Sequence, residues 1–261
     1  MPTRRAPTSG RRIPRRTGSD GAGPRLPVNE LAPRDPASSR RSPRQPWRDE
    51  SGMRTTPIGI AMLNDERQHV WEQNNPVNEK VVSQWADIIK GRLTNRDGSA
   101  PEIVTGSQII TDVRSAQKVG DELHRAGCRQ VIMLYNVWNY PFLVWPFIQS
   151  VGVDKPILSL SNNNGKYPGN VGLLATDGAL RQAGVRTHRI VGDMDDEGTL
   201  AKVTAWVRAS QAVTTIKSEV YGCYGGHSMG METGYFHMVP TIKALGTTLR
   251  QIDQLWLLEA M

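Results

Sequence analysis

The chain is 261 residues long, carries a formal net charge of +7 and has two cysteines. At about 150 residues per domain this is one to two domains. Two cysteines cannot make a disulfide framework, so the chain reads as cytosolic, and no run approaches the ~18 apolar residues of a membrane span.

Residues 1–52 hold 12 Arg, no Lys, 5 acids and 9 of the 17 Pro, while the rest of the chain balances 20 basic against 20 acidic side chains. The first segment lacks the apolar residues to offset chain entropy and is expected to be a disordered Arg/Pro-rich tail. A neutral remainder argues against a globular nucleic-acid-binding face. A basic arm touching RNA or DNA is the weaker reading of the tail, beside a solvated tail without specific function.

From Thr56 the pattern becomes regular. Pro57–Leu63 is a short apolar run followed by a polar loop. Asn78 is placed to cap a helix carrying Val81, Val82, Trp85, Ile88 and Ile89 at helical spacing. Glu102–Thr105 reads as a strand, and Asp112 opens a helix closed by Gly127. Gln130–Tyr135 is a third strand, followed by a helix near Pro141–Val151; Pro156–Leu160 is a fourth strand. After the polar stretch Asn162–Gly169 the pattern restarts: a helix over 171–183, strand Val185–Val191, helix Gly198–Lys217 and strand Val220–Tyr224. A short helix near Thr241–Leu245, a strand Thr247–Ile252 and a further helix Asp253–Met261 complete it. Strands separated by helical stretches imply right-handed crossovers and a parallel sheet. The expected fold is α/β: two doubly wound, Rossmann-like parallel-sheet units in tandem, the first over 53–168 and the second, incomplete, over 169–261. The last helix would leave apolar surface uncovered, so the sequence reads as a chain cut short.

In such sheets ligands bind beyond the carboxyl ends of the strands, and the loops there are polar. Asp193–Gly198 imitates the start of a calcium loop, but its twelfth position is Thr204 where a bidentate Glu is needed; acids at a helix N-terminus are the simpler reading. Gly225 and Gly230 have phosphate-loop spacing without a following Gly-Lys-Ser/Thr, and no Gly-x-Gly-x-x-Gly opens a helix. His227, Glu232 and His237 lie close in sequence, but a metal needs three or four converging ligands. Cys128 and Cys223 read as packing residues. Trp138, at the end of a buried strand, is either a core or interface aromatic or a stacking platform for a sugar.

Several motifs occur in a telling order: Pro57-Ile58-Gly59-Ile60, Asp65–Arg67, Val137-Trp138-Asn139-Tyr140, Gly165-Lys166-Tyr167-Pro168-Gly169, Gly225-Gly226-His227-Ser228-Met229-Gly230 and Gly246–Asp253. Over about residues 56–261 the chain resembles the amino-terminal two-thirds or so of the L-fucose isomerases and the related L-arabinose isomerases. The resemblance implies an aldose–ketose isomerase that works through an enediol with a divalent metal, usually manganese. It also implies that the Glu, Asp and His that hold the metal lie in later segments, so no catalytic or metal-binding residue is assigned here. What it transfers is an accessory sugar-contacting surface: Arg67 after the first strand, Trp138 and Tyr140 in one turn, and Ser228 and Met229 in a Ser-Met-Gly loop. Ala61-Met62-Leu63-Asn64 and Glu232 depart from the family pattern. The implied partners are a monosaccharide and further copies of the chain in a cytoplasmic homo-oligomer, with no membrane and no nucleic acid. The alternative is a stand-alone, two-lobed sugar-binding or regulatory module without catalysis.

Overall fold

The computed structural model describes residues 56–95, 98–225 and 237–261. The chain divides into two units, Met1–Glu50 and Ser51–Met261, and every described residue belongs to the second; the tail 1–52 lies outside the described residues.

Three short aliphatic runs make the centre of the sheet. β1 (Ile58–Leu63), β3 (Gln130–Tyr135) and β4 (Ile157–Ser161) are buried at every position, as strands covered on both faces must be. β2 (Ile103–Thr105) and β5 (His188–Val191) are the edges of a five-stranded sheet of order β2-β1-β3-β4-β5. All pairings are parallel: Ile58 lies opposite Ile103 and Gln130, Val131 opposite Ile157, and Leu158 opposite His188.

Side-chain alternation along the strands divides the core in two. Ile58, Ile60 and Met62 pack with Ile132, Leu134, Leu158 and Leu160 under α1 (Gln68–Arg92) and α5 (Glu197–Ser218), which contribute Val82, Trp85, Ile89, Leu200, Val203 and Val207. Ala61 and Leu63 face the other way. With Val131, Met133 and Tyr135 they pack against α2 (Val113–Arg125), α3 (Val144–Val151) and α4 (Gly169–Gln182). A single 3-10 turn, Pro141–Leu143, leads into α3.

Local chemistry sets several boundaries as the sequence predicts. Asp112 accepts from the Ser115 N–H at 2.7 Å and Ser115 Oγ accepts from the Asp112 N–H at 2.9 Å, a reciprocal cap. At the other end of α2, Gly127 has φ 76°. Its N–H reaches the His124 carbonyl at 3.0 Å and the Cys128 N–H reaches Leu123 at 3.1 Å, the paired bonds that close a helix through a left-handed glycine.

Two expectations need revision. The polar loop after β1 is only Asn64–Arg67, and Asn78 is not a cap: α1 starts at Gln68, with Arg67 in the cap position eleven residues earlier, and runs through Pro76. Asn78 is a fully buried residue within that helix, and its Oδ1 accepts from Asn136 Nδ2 at 2.8 Å. The second concerns the stretch after residue 168. β5 pairs with β4, and α5 packs on the sheet, so Gly169–Ser218, placed in a second unit from sequence, completes the first sheet. β6 (Val220–Tyr224) and β7 (Thr248–Ile252) form a separate parallel pair, with α6 (Met238–Leu245) between them and α7 (Leu255–Ala260) following.

Candidate functional site

The strand order reverses between β1 and β3, and the crevice beyond the carboxyl ends of those two strands is where an open parallel sheet receives ligands. Two loops meet there. After β1, the fully buried Asn64 is anchored by its Nδ2 on Asn75 Oδ1 at 2.7 Å, and its Oδ1 accepts the Asp65 N–H at 2.7 Å. Asp65 in turn grips Arg67: Nε donates to Oδ1 at 2.9 Å, Nη2 to Oδ2 at 2.5 Å, and the Arg67 backbone N–H to Oδ1 at 2.9 Å. The carboxylate side chain is 1% exposed and the guanidinium side chain 51% exposed. A two-point contact of this kind fixes the plane of the guanidinium; it uses two of the five N–H groups that the side chain carries.

After β3 the chain bends at Asn136-Val137, and burial then alternates along the turn. Val137 and Asn139 are buried, and Trp138 and Tyr140 between them are partly exposed. Asn139 Nδ2 donates to Thr176 Oγ1 of α4 at 2.9 Å. The loop can dock this closely because α4 carries Gly172, where a Cβ would collide with Asn139 Oδ1 and lie 3.1 Å from the Val137 carbonyl. The outward pair then meets Arg67. The Trp138 and Tyr140 rings stand edge to face with centroids 5.9 Å apart, and Arg67 Cζ lies 6.0 Å from the Tyr140 centroid, within cation–π reach. Arg67, Tyr140 and Trp138, singled out from sequence, are thus brought together. Ser228 and Met229 lie outside the described residues, as do His227 and Glu232.

The Arg67 bond is the largest influence holding the Asp65 carboxyl below its ordinary value of 3.8. A depressed carboxyl stabilises the fold above its unfolded value and loses that contribution as pH falls through the folded one. Asp65→Asn should therefore flatten the acid side of the melting temperature against pH below about pH 4; an unchanged acid limb would mean the pair contributes nothing to stability.

A second feature was not visible in the sequence. Side chains from α1 and from the ends of β3, β4 and β5 enclose a cleft of about 430 Å³. Its apolar wall includes Val77, Val81, Trp85 and Met194, and its polar wall Asn136, Asn162, Asn164, Tyr167, Asp193 and Asp195. Amides tie the strand ends together: Asn136 donates to Asn78, Asn162 Nδ2 donates to Asn136 Oδ1 at 2.6 Å, and the Asn163 N–H donates to Asp193 Oδ1 at 2.9 Å. Polar loops at these strand ends are expected from the sequence, and so are Val81 and Trp85 on a helix; the convergence of the two on one space is not, and Val77 lies in the part of α1 that precedes the expected cap.

The remaining candidates have ordinary roles. Asp196, in the supposed calcium loop, caps α5 by accepting the Thr199 N–H at 2.9 Å. His237 is the residue before α6. Burial pushes the Cys128 thiol up to about 11, so it stays protonated at neutral pH. Among the described residues no three His, Cys, Asp or Glu side chains are grouped to hold a metal ion, so the described part does not fit the implied manganese. No described helix is long and apolar enough to cross a membrane.

The family of the L-fucose isomerase first N-terminal domain matches residues 55–218. The L-fucose isomerase of Bacteroides thetaiotaomicron is 27% identical over 194 residues, 67% of this chain and 30% of its own length. That of Bacteroides fragilis is 27% identical and that of Phocaeicola vulgatus 26%, with the same shares covered. The chain thus spans about 30% of the length of these relatives, less than the two-thirds expected from sequence. The match to residues 55–218 takes in the whole five-stranded sheet, Arg67 and the Trp138–Tyr140 turn, and the chain belongs to the L-fucose isomerase family.

Proposed function

We propose that the chain supplies the sugar-facing amino-terminal part of an aldose–ketose isomerase of the L-fucose type, acting in the cytoplasm within a homo-oligomer. In this reading Arg67, Tyr140 and Trp138 close on a monosaccharide held by catalytic groups that this chain does not itself supply. The observation that carries it is the convergence of those three side chains at the β1/β3 switch point. Indole and phenol rings offer faces to the C–H side of a sugar ring. A guanidinium held in plane by Asp65 offers N–H donors to hydroxyl oxygens at a fixed angle. Ser228 and Met229 belong to the same proposal through their motif. Two unpaired cysteines, one of them buried, suit a reducing compartment. In the complete enzyme a divalent metal, manganese, would supply the polarisation of the two sugar oxygens; its ligands are proposed to lie outside this chain.

The test is a chimera in which residues 55–218 replace the matching segment of the Bacteroides thetaiotaomicron enzyme, assayed on L-fucose with manganese. The chimera should turn over, and Trp138→Ala within it should lower kcat/KM about threefold to tenfold, the worth of an aromatic contact of ~0.5–1.5 kcal/mol. Metal affinity should hold, since indole is no ligand. Normal kcat/KM in a folded Trp138→Ala chimera would remove the sugar-facing role.

A further inference from the structure

None of Arg67, Tyr140 and Trp138 lines the cleft between α1 and the ends of β3, β4 and β5. We propose that this cleft is a second small-molecule site, for an uncharged sugar ring, separate from the Trp138 surface and independent of whether that surface meets a substrate.

Four observations lead to that ligand class. The first is position and size. The cleft opens at the carboxyl ends of parallel strands, and about 430 Å³ falls in the range of ligand pockets, roughly 300–1,000 Å³. The second is charge. Asp193 and Asp195 are its ionisable acids, and no Lys, Arg or His lines it. Two carboxylates with no cationic side chain in the lining repel a phosphate or carboxylate group; the Lys166 ammonium, 5.4 Å from the centroid of the lining Tyr167 ring, offsets part of that repulsion, so nucleotides and sugar phosphates are disfavoured rather than favoured ligands.

The third is the pairing of donors and acceptors. Asn164 Oδ1 is occupied by the Lys166 N–H at 2.9 Å, so Asn164 presents its Nδ2 as a donor. Asp193 is held in place by the Asn163 N–H and presents acceptor oxygens. Sugar hydroxyls both donate and accept, and this mixed set satisfies them. The fourth is the opposite wall. Val81, Met194 and the Trp85 ring, 4% exposed, give a dry surface for the C–H face of a ring.

The experiment uses the full 261-residue chain with 13C-labelled methionine methyls, because Met62 and Met194 both line the cleft. It is titrated with four free aldoses (L-fucose, L-arabinose, D-glucose and D-mannose), with L-fucose 1-phosphate, and with inorganic phosphate. At least one free aldose should shift the Met62 and Met194 resonances saturably, and the phosphate ester should bind at least tenfold more weakly than free L-fucose or not at all. Val77→Trp, at a position on α1 that is 36% exposed, should fill the cleft and abolish the shifts. Asp195→Lys, on an exposed loop, should weaken the aldose and narrow the discrimination against the ester, and it reports even where Val77→Trp does not fold. Trp138→Ala should leave the titration unchanged, so failure of the cleft and failure of the Trp138 surface are read apart. The proposal is overturned if no aldose moves the two methyls, if the ester binds as tightly as the free sugar, or if folded Val77→Trp responds like the parent chain.

Discussion

Trp85→Ala is expected to destabilise the fold by about 3–5 kcal/mol, the usual cost of truncating a large buried aromatic. Trp85 is 4% exposed in the middle of α1 and belongs to the same core as Ile60, Met62, Leu134 and Leu160. It is also one wall of the cleft. Removing the indole leaves a void that the rigid strands beneath cannot fill, so the cavity term adds to the lost burial. For a domain of this size each kcal/mol moves the melting temperature by roughly 2–4 °C. The drop should therefore be roughly 10 °C, measurable by calorimetry or circular dichroism. Trp85→Phe, which keeps a ring in place, should recover most of it. A loss below about 1 kcal/mol would show that the cleft-side wall of α1 is not part of the packed core.

Arg189→Ala carries the second large effect, although Arg189 sits on the edge strand β5 with a side chain 40% exposed. Its partner Asp177, on α4, is 1% exposed. That carboxylate accepts from Ser159 Oγ at 2.8 Å and has Arg189 Nε 3.3 Å from Oδ2. Deleting the arginine strands a buried charge with one hydroxyl for company. Breaking a buried pair from one side costs about 3–5 kcal/mol; because water reaches the arginine, the low end, about 3 kcal/mol, is expected. Adding Asp177→Asn to Arg189→Ala should regain stability, since a neutral amide needs no counter-charge. If Arg189→Ala falls within the ~0.5 kcal/mol typical of uninvolved surface positions, Ser159 and solvent suffice for Asp177.

What could be read from sequence followed from how local its cause is. β3 and β6 match their predicted limits to the residue, and β1 and the Asp112 and Gly127 ends of α2 match nearly as well. Each is set by its own aliphatic run or by side chains within a turn. The start of α1 has no such signal. Its cap, Arg67, makes no side-chain capping bond, its first turn holds no acid, and Pro76 argues against a helix there. What holds the early turns is tertiary: Asn75 to Asn64 and Asn78 to Asn136, partners up to 58 residues away. The stretch Asn162–Gly169 misled for the same reason. Its polarity resembles a hinge, yet Asn162 and Asn163 bind Asn136 and Asp193 and carry the sheet on to β5. Trp138 is legible because it follows a buried strand; Arg67 and Tyr140 come from the resemblance of their loops to the family's. The cleft is not legible, since nothing in the spacing of Trp85, Asn164 and Met194 says that they face one space.

The strand order has a consequence for the nascent chain on the ribosome. β1 and β2 emerge first, and β3, β4 and β5 then join one growing edge in the order of translation. Each addition uses an edge already displayed, so no earlier pairing must open to admit a later strand. Once residue 135 has cleared the exit tunnel, β1 is paired on both sides, Ile60 with Thr105 and Ile132. The open edge then passes to β3, to β4, and finally to the four-residue β5. Synthesis thus moves the exposed edge outward from a long buried strand to a short polar one, the kind least able to recruit a neighbouring chain.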